Sequence, residues 1–166
     1  MTDLKPLKDK TAIVTGAGRG IGMAIATGFA KAGANVSIAA RSKEDLSSVE
    51  TQIKQFNSNV VTFQTDVSQS EDVDALVNNT LKSFGQIDIL VNNAGVYKEL
   101  ALVPFPDQTL TPPSVTRQSN ERMTDNEFRQ IIDTNIGGVF YGCRAVAPSM
   151  MKQKYGKIIN ISSISA

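Results

Sequence analysis

Residues 15–22 read Thr15-Gly16-Ala17-Gly18-Arg19-Gly20-Ile21-Gly22, between an apolar run at Lys10–Val14 and an amphipathic one that begins at Met23. A glycine-rich turn leading from a strand into a helix is suited to holding a pyrophosphate. The first N–H groups of such a helix lack helical partners, and its dipole favours negative charge. Glycine is needed because a Cβ would block the phosphates or penalise a positive φ. Gly16, Arg19, Gly20, Ile21 and Gly22 are therefore candidate cofactor-binding residues. The chain has no histidine, which removes Ser-His-Asp and Cys-His catalysis and the commonest metal ligand, so no metal site is expected. Cys143 is the single cysteine. It excludes an internal disulfide, reads as a small core residue, and suits a reducing cytoplasm.

The elements that must position these residues follow from apolar periodicity. Strands are predicted at Lys10–Val14, Asn35–Ala40, Val60–Phe63, Ile87–Val91 and Lys157–Ile161. Helices are predicted from Met23, near Lys43 to Phe56, and over the stretch carrying Val73, Leu76, Val77, Leu81 and Phe84. Thr124-x-x-Glu127 is a capping box opening a long helix with Phe128, Ile131, Ile132, Ile136, Val139, Phe140 and Cys143, which Gly156 is expected to end. Strands alternating with helices predict an α/β fold, a Rossmann-like doubly wound parallel sheet with five strands, in a single domain over residues 1–166. Residues 98–123 break the rhythm with Pro104, Pro106, Pro112 and Pro113, and read as a proline-rich loop insertion, either a surface excursion or a substrate or oligomer contact.

Net charge is +1 and the isoelectric point about 7.8, giving no electrostatic reason to expect nucleic acid or an anionic membrane. The first ten residues carry no apolar signal core, and no apolar stretch approaches bilayer length. A cytoplasmic protein is the expectation.

Further motifs lie at strand ends. Asn92-Asn93-Ala94-Gly95 ends the fourth strand, Asp66-Val67 follows the third, Asn135 lies in the long helix, and Lys157-Ile158-Ile159-Asn160-Ile161-Ser162-Ser163 closes the chain. Together with Thr-Gly-x-x-x-Gly-x-Gly, this set resembles the single-domain short-chain dehydrogenase/reductases and is similar to 3-oxoacyl-carrier-protein reductases within them. The resemblance implies a hydride transferred between a nicotinamide cofactor and a ketone or secondary alcohol, of 3-oxoacyl, sugar or polyol type. It also implies Asp66 on the adenine amino group, the Val67 backbone beside it, and Asn93, Ala94 and Gly95 along the nicotinamide-side ribose. NAD-preferring relatives end the second strand in an acid, whereas this chain has Ala40 followed by Arg41, with Arg19 nearby in the glycine turn. Two guanidinium groups favour a 2′-phosphate, so NADP(H) is expected, with NAD(H) the alternative.

By position Ser163 matches the family serine that holds the carbonyl oxygen, and Asn135 matches the asparagine that orders a water in the proton relay. The family tyrosine and the lysine four residues beyond it have no match: Tyr97, Tyr141 and Tyr155 are followed at that spacing by Ala101, Ala145 and Ile159. The chain ends three residues after Ser163, and its last strand would be an apolar open edge. The expectation is therefore a fragment lacking its C-terminal strands and helices and inactive alone. It would come from a parent enzyme that forms a homodimer or homotetramer. The rival reading is a non-catalytic dinucleotide-binding module. A Rossmann-like methyltransferase would leave the Asn-Asn-Ala-Gly and Ser-Ser motifs without a role.

Overall fold

A computed structural model describes residues 5–56, 59–98 and 122–163. Nearly all of the proline-rich 98–123 stretch lies outside them. Five parallel strands, β1 (Thr11–Thr15), β2 (Asn35–Ala40), β3 (Val60–Gln64), β4 (Ile89–Asn92) and β5 (Lys157–Asn160), stand in the order β3-β2-β1-β4-β5. Helices α1 (Gly20–Lys31) and α2 (Lys43–Lys54) cover one face, while α3 (Ser70–Phe84) and α5 (Gly138–Gln153) cover the other. This is the doubly wound sheet expected from the sequence. The order reverses between β1 and β4, which is where such sheets bind ligands.

Alternation along β1 divides the core. Ala12 and Val14 pack with Ala26, Ala30, Val49 and Ile53, whereas Ile13 packs on the opposite face with Leu76, Leu90 and Val146. β4 begins at Ile89 rather than Ile87, because Gln153 engages the Ile87 backbone: its Oε1 accepts the N–H at 3.2 Å and its Nε2 donates to the C=O at 3.0 Å. Buried Asp88 closes the amino end of the sheet, accepting from Thr11 N (2.8 Å), Gln86 Nε2 (2.9 Å) and Lys10 Nζ (3.2 Å).

The long C-terminal helix departs from a regular one. The capping box forms, with Thr124 Oγ1 accepting Glu127 N–H and Glu127 accepting Thr124 N–H, and opens α4 (Asp125–Ile132). A π turn, Asp133–Gly137, then joins α4 to α5. Its buried line runs Thr134, Gly138, Gly142, Val146 and Met150, while Phe128, Ile132, Ile136 and Phe140 stay exposed. Gly156 does not end α5. Lys154, at φ 56°, does so, with Lys154 N–H donating to Met151 O and Tyr155 N–H to Met150 O. β5 forms an edge of the sheet as expected, and its isoleucines Ile158 and Ile159 are about 40% exposed (42% and 41%).

Candidate functional site

A cleft of about 440 Å³ opens at the carboxyl ends of the strands, at the reversal between β1 and β4. Gly16, Arg19, Ile21, Gly22, Arg41, Asp66, Val67, Asn93, Ala94 and Gly95 all line it. The structure thus brings together ten of the eleven residues expected from the sequence to bind cofactor. Gly20, the eleventh, takes φ +55° to turn the chain into α1 and is not part of the lining.

The turn is shaped by close approach. Gly16 sits at φ +64°, and a Cβ there would lie 2.8 Å from the Ala94 Cα. A side chain at Gly22 would collide with the Gly16 carbonyl and the Asn93 amide. α1 begins from Arg19 in extended conformation (φ −162°), with no side-chain cap and no acid in its first turn. α2, α3 and α4 all carry acids there. The free N–H groups and positive dipole end of α1 are therefore open to an anion. Ile21, 63% exposed, offers an apolar contact at the same end.

A polar lattice holds the rim. Thr15 Oγ1 accepts the N–H groups of Asn93 and Ala94, both at 3.1 Å. Asn93 Nδ2 donates back to Thr15 O at 3.0 Å and to Gly16 O at 3.3 Å. The Asn93 amide donors are thus committed to the glycine turn. Asp66 Oδ1 accepts from both Ser68 N (3.0 Å) and Ser68 Oγ (2.7 Å), and Asp72 Oδ2 accepts Asp66 N–H at 2.9 Å. Asp66 Oδ2 has no partner among the described residues and is available as an acceptor. Gln64 Nε2 donates to Arg41 O at 3.0 Å and steadies the loop after β2. The Arg19 and Arg41 side chains are exposed, and neither guanidinium has a partner among the described residues.

At the opposite end of the cleft, Asn135 lies in the π turn, and its side chain clamps Val96. Oδ1 accepts Val96 N–H at 2.8 Å and Nδ2 donates to Val96 O at 2.9 Å. Its neighbour Thr134 lines the cleft. Ser163 lies beyond β5, exposed and outside the lining. Because β5 runs parallel to β4, Ser163 emerges at the same carboxyl edge as Asn93. Tyr155 precedes β5 and stacks under Lys10 Nζ, 4.3 Å from the ring centre, at the amino edge far from the cleft.

Sequence reasoning gave no site role to Thr15, Ser42, Asp45, Thr65, Val96 or Thr134, yet all either line the cleft or hold its rim. For Thr15 a signal existed, as a polar residue ending an otherwise apolar strand and opening the glycine motif. The remainder depend on loop placement.

The profile of the family described as short chain dehydrogenase matches residues 10–166. An uncharacterized oxidoreductase of Staphylococcus aureus (strain USA300) is 39% identical over 162 residues, covering 96% of this chain and 60% of that protein. The chain thus spans about three-fifths of the length of the curated relatives it matches. A metagenomic short-chain oxidoreductase crystallised with NADP aligns with TM-score 0.80 at 35% identity, over 96% of this chain and 64% of the other. An NAD+-bound xylitol dehydrogenase aligns with TM-score 0.78 at 28% identity, over 96% of this chain and 55% of the other.

Proposed function

This chain belongs to the short-chain dehydrogenase family, and from that premise we propose that its cleft binds NADP(H). The protein would then act as an oxidoreductase on a ketone or secondary alcohol. The observation that carries this reading is the uncapped, acid-free end of α1 opening into a cleft lined by Arg19 and Arg41. Similar proteins are known with NADP and with NAD+ bound, so the choice rests on this chain's own charges. The β2 end has Ala40 in place of an acid, and the Arg19 and Arg41 guanidinium forks, without a partner among the described residues, suit a 2′-phosphate.

Bound there, the dinucleotide would supply or accept a hydride. The N–H groups at the start of α1 would hold the pyrophosphate, and Asp66 Oδ2 and the Val67 backbone would meet the adenine. Asn93, Ala94 and Gly95 would border the nicotinamide-side ribose. Asn135 would fix that border by holding both polar groups of Val96, and Ser163 would meet the substrate carbonyl oxygen. None of the three tyrosines has a lysine four residues on, and Tyr155 stands at the wrong edge. These residues alone would therefore bind cofactor without turnover. The exposed Phe128, Ile132, Ile136 and Phe140 stripe suits self-association into a dimer or tetramer. Unpaired Cys143 suits a reducing cytoplasm.

Calorimetric titration of the 166-residue chain with NADPH and NADH tests the reading. Saturable binding, tighter for NADPH, with no reduction of ketones is expected. Failure to bind either dinucleotide overturns the cofactor site, and ketone reduction by the chain overturns the assignment of roles.

A further inference from the structure

We propose that Asp45 sets the nucleotide preference of the cleft by opposing a phosphate on the adenosine 2′ position. The inference rests on the reading of the cleft as a dinucleotide site. Asp45 is the third residue of α2, with its N–H capped by Ser42 Oγ at 3.1 Å. It lines the same cleft as Arg19, Arg41 and Ser42. A Cβ on Gly18 would lie 2.9 Å from the Asp45 Cβ and 3.6 Å from Oδ2, so the first turn of α2 presses on the glycine turn and sets the carboxylate beside it.

Asp45 is partly buried, and its carboxylate has no partner among the described residues. Its neighbour Glu44 differs, accepting from Ser42 Oγ at 3.3 Å. One end of the cleft therefore presents the cations of Arg19 and Arg41 and the anion of Asp45, none engaged among the described residues. The arginines attract a 2′-phosphate. Asp45 repels it across partly desolvated space, and also occupies the positive end of the α2 dipole that a phosphate could use. Toward a 2′-hydroxyl the same carboxylate is only an acceptor, at no electrostatic cost. Asp45 thus narrows the gap between NADPH and NADH that the arginines open. A purely structural acid at a helix start would change stability and leave that ratio alone.

The test is calorimetry of the wild-type chain and Asp45→Asn with NADPH and with NADH at moderate salt. Asp45→Asn should tighten NADPH binding about threefold to tenfold while NADH moves less than about twofold. The gain should shrink in high salt. Asp45→Ser should move the ratio the same way, and thermal melts verify that each variant is folded. An unchanged NADPH affinity, or equal changes for both dinucleotides, overturns the proposal. If the wild type prefers NADH, the NADP(H) reading fails while the Asp45→Asn shift still decides the role of Asp45. If the wild type binds neither dinucleotide, both readings fall.

Discussion

The hydroxyl of Thr15 accepts the backbone N–H of Asn93 at 3.1 Å, and the side chain of Asn93 donates back to the Thr15 carbonyl at 3.0 Å. Residues 78 positions apart thereby lock each other where the strand order reverses. The same hydroxyl accepts Ala94 N–H and donates to Val91 O at 3.2 Å. One side chain therefore satisfies three backbone groups and fixes the distance between the glycine turn and the end of β4.

Thr15→Val keeps the shape and leaves two N–H groups and a carbonyl unpaired. It should cost about 1–3 kcal/mol of stability and weaken NADPH binding, whereas Thr15→Ser should keep most of both. Chemical denaturation and calorimetry read these outcomes, and wild-type behaviour in Thr15→Val would remove Thr15 from the rim.

Arg41→Ala removes a guanidinium group that lines the cleft and has no partner among the described residues. Losing a charged hydrogen bond to a 2′-phosphate should cost about 1.5–3 kcal/mol for NADPH and little for NADH. The measurement is the ratio of the two dissociation constants, and equal weakening would remove Arg41 from 2′-phosphate recognition.

Asn135→Ala leaves both polar groups of Val96 without their partners. Stability should fall by about 1–3 kcal/mol, and NADPH binding should weaken. Titration with 5′-AMP, which reports the adenosine half alone, should give the wild-type affinity. A loss of AMP binding would show a general collapse of the cleft instead.

Glu127 has its carboxyl lowered from the ordinary 4.5 to about 2 by the Thr124 backbone N–H, then by the Thr124 hydroxyl and by Lys98. A depressed folded-state value means that the ionised capping box stabilises fully above pH 4.5 and is lost as pH falls toward about 2. Melting temperatures of wild type and Glu127→Gln should therefore differ most above pH 4.5 and converge below it. A constant gap from pH 6 to pH 3, roughly spanning the unfolded-state titration, would contradict this sign.

Local chemistry made much of the fold legible. β2 runs over the predicted Asn35–Ala40, and the Thr124 capping box forms as its spacing requires. Two boundaries moved for different reasons, one through a distant side chain and one through local backbone capping. Gln153 takes the Ile87 backbone out of the β4 ladder, and contacts from Met150 and Met151 end α5 at Lys154 rather than at the available Gly156. The π turn at Asp133–Gly137 coincides with the Asn135 clamp on Val96, a partner supplied by another loop.

By itself, the sequence determined the order of elements, the parallel sheet and the glycine turn, because periodicity, capping and turn chemistry act over a few residues. Tertiary structure alone decided that α1 opens uncapped into a cleft and that Asn93 is spent on the glycine turn. It likewise set Asp45 beside Gly18 with Arg19 and Arg41 lining the same space. These relations join residues from separate loops at one edge of the sheet, and their distances are fixed by strand order and helix packing, which no local pattern encodes.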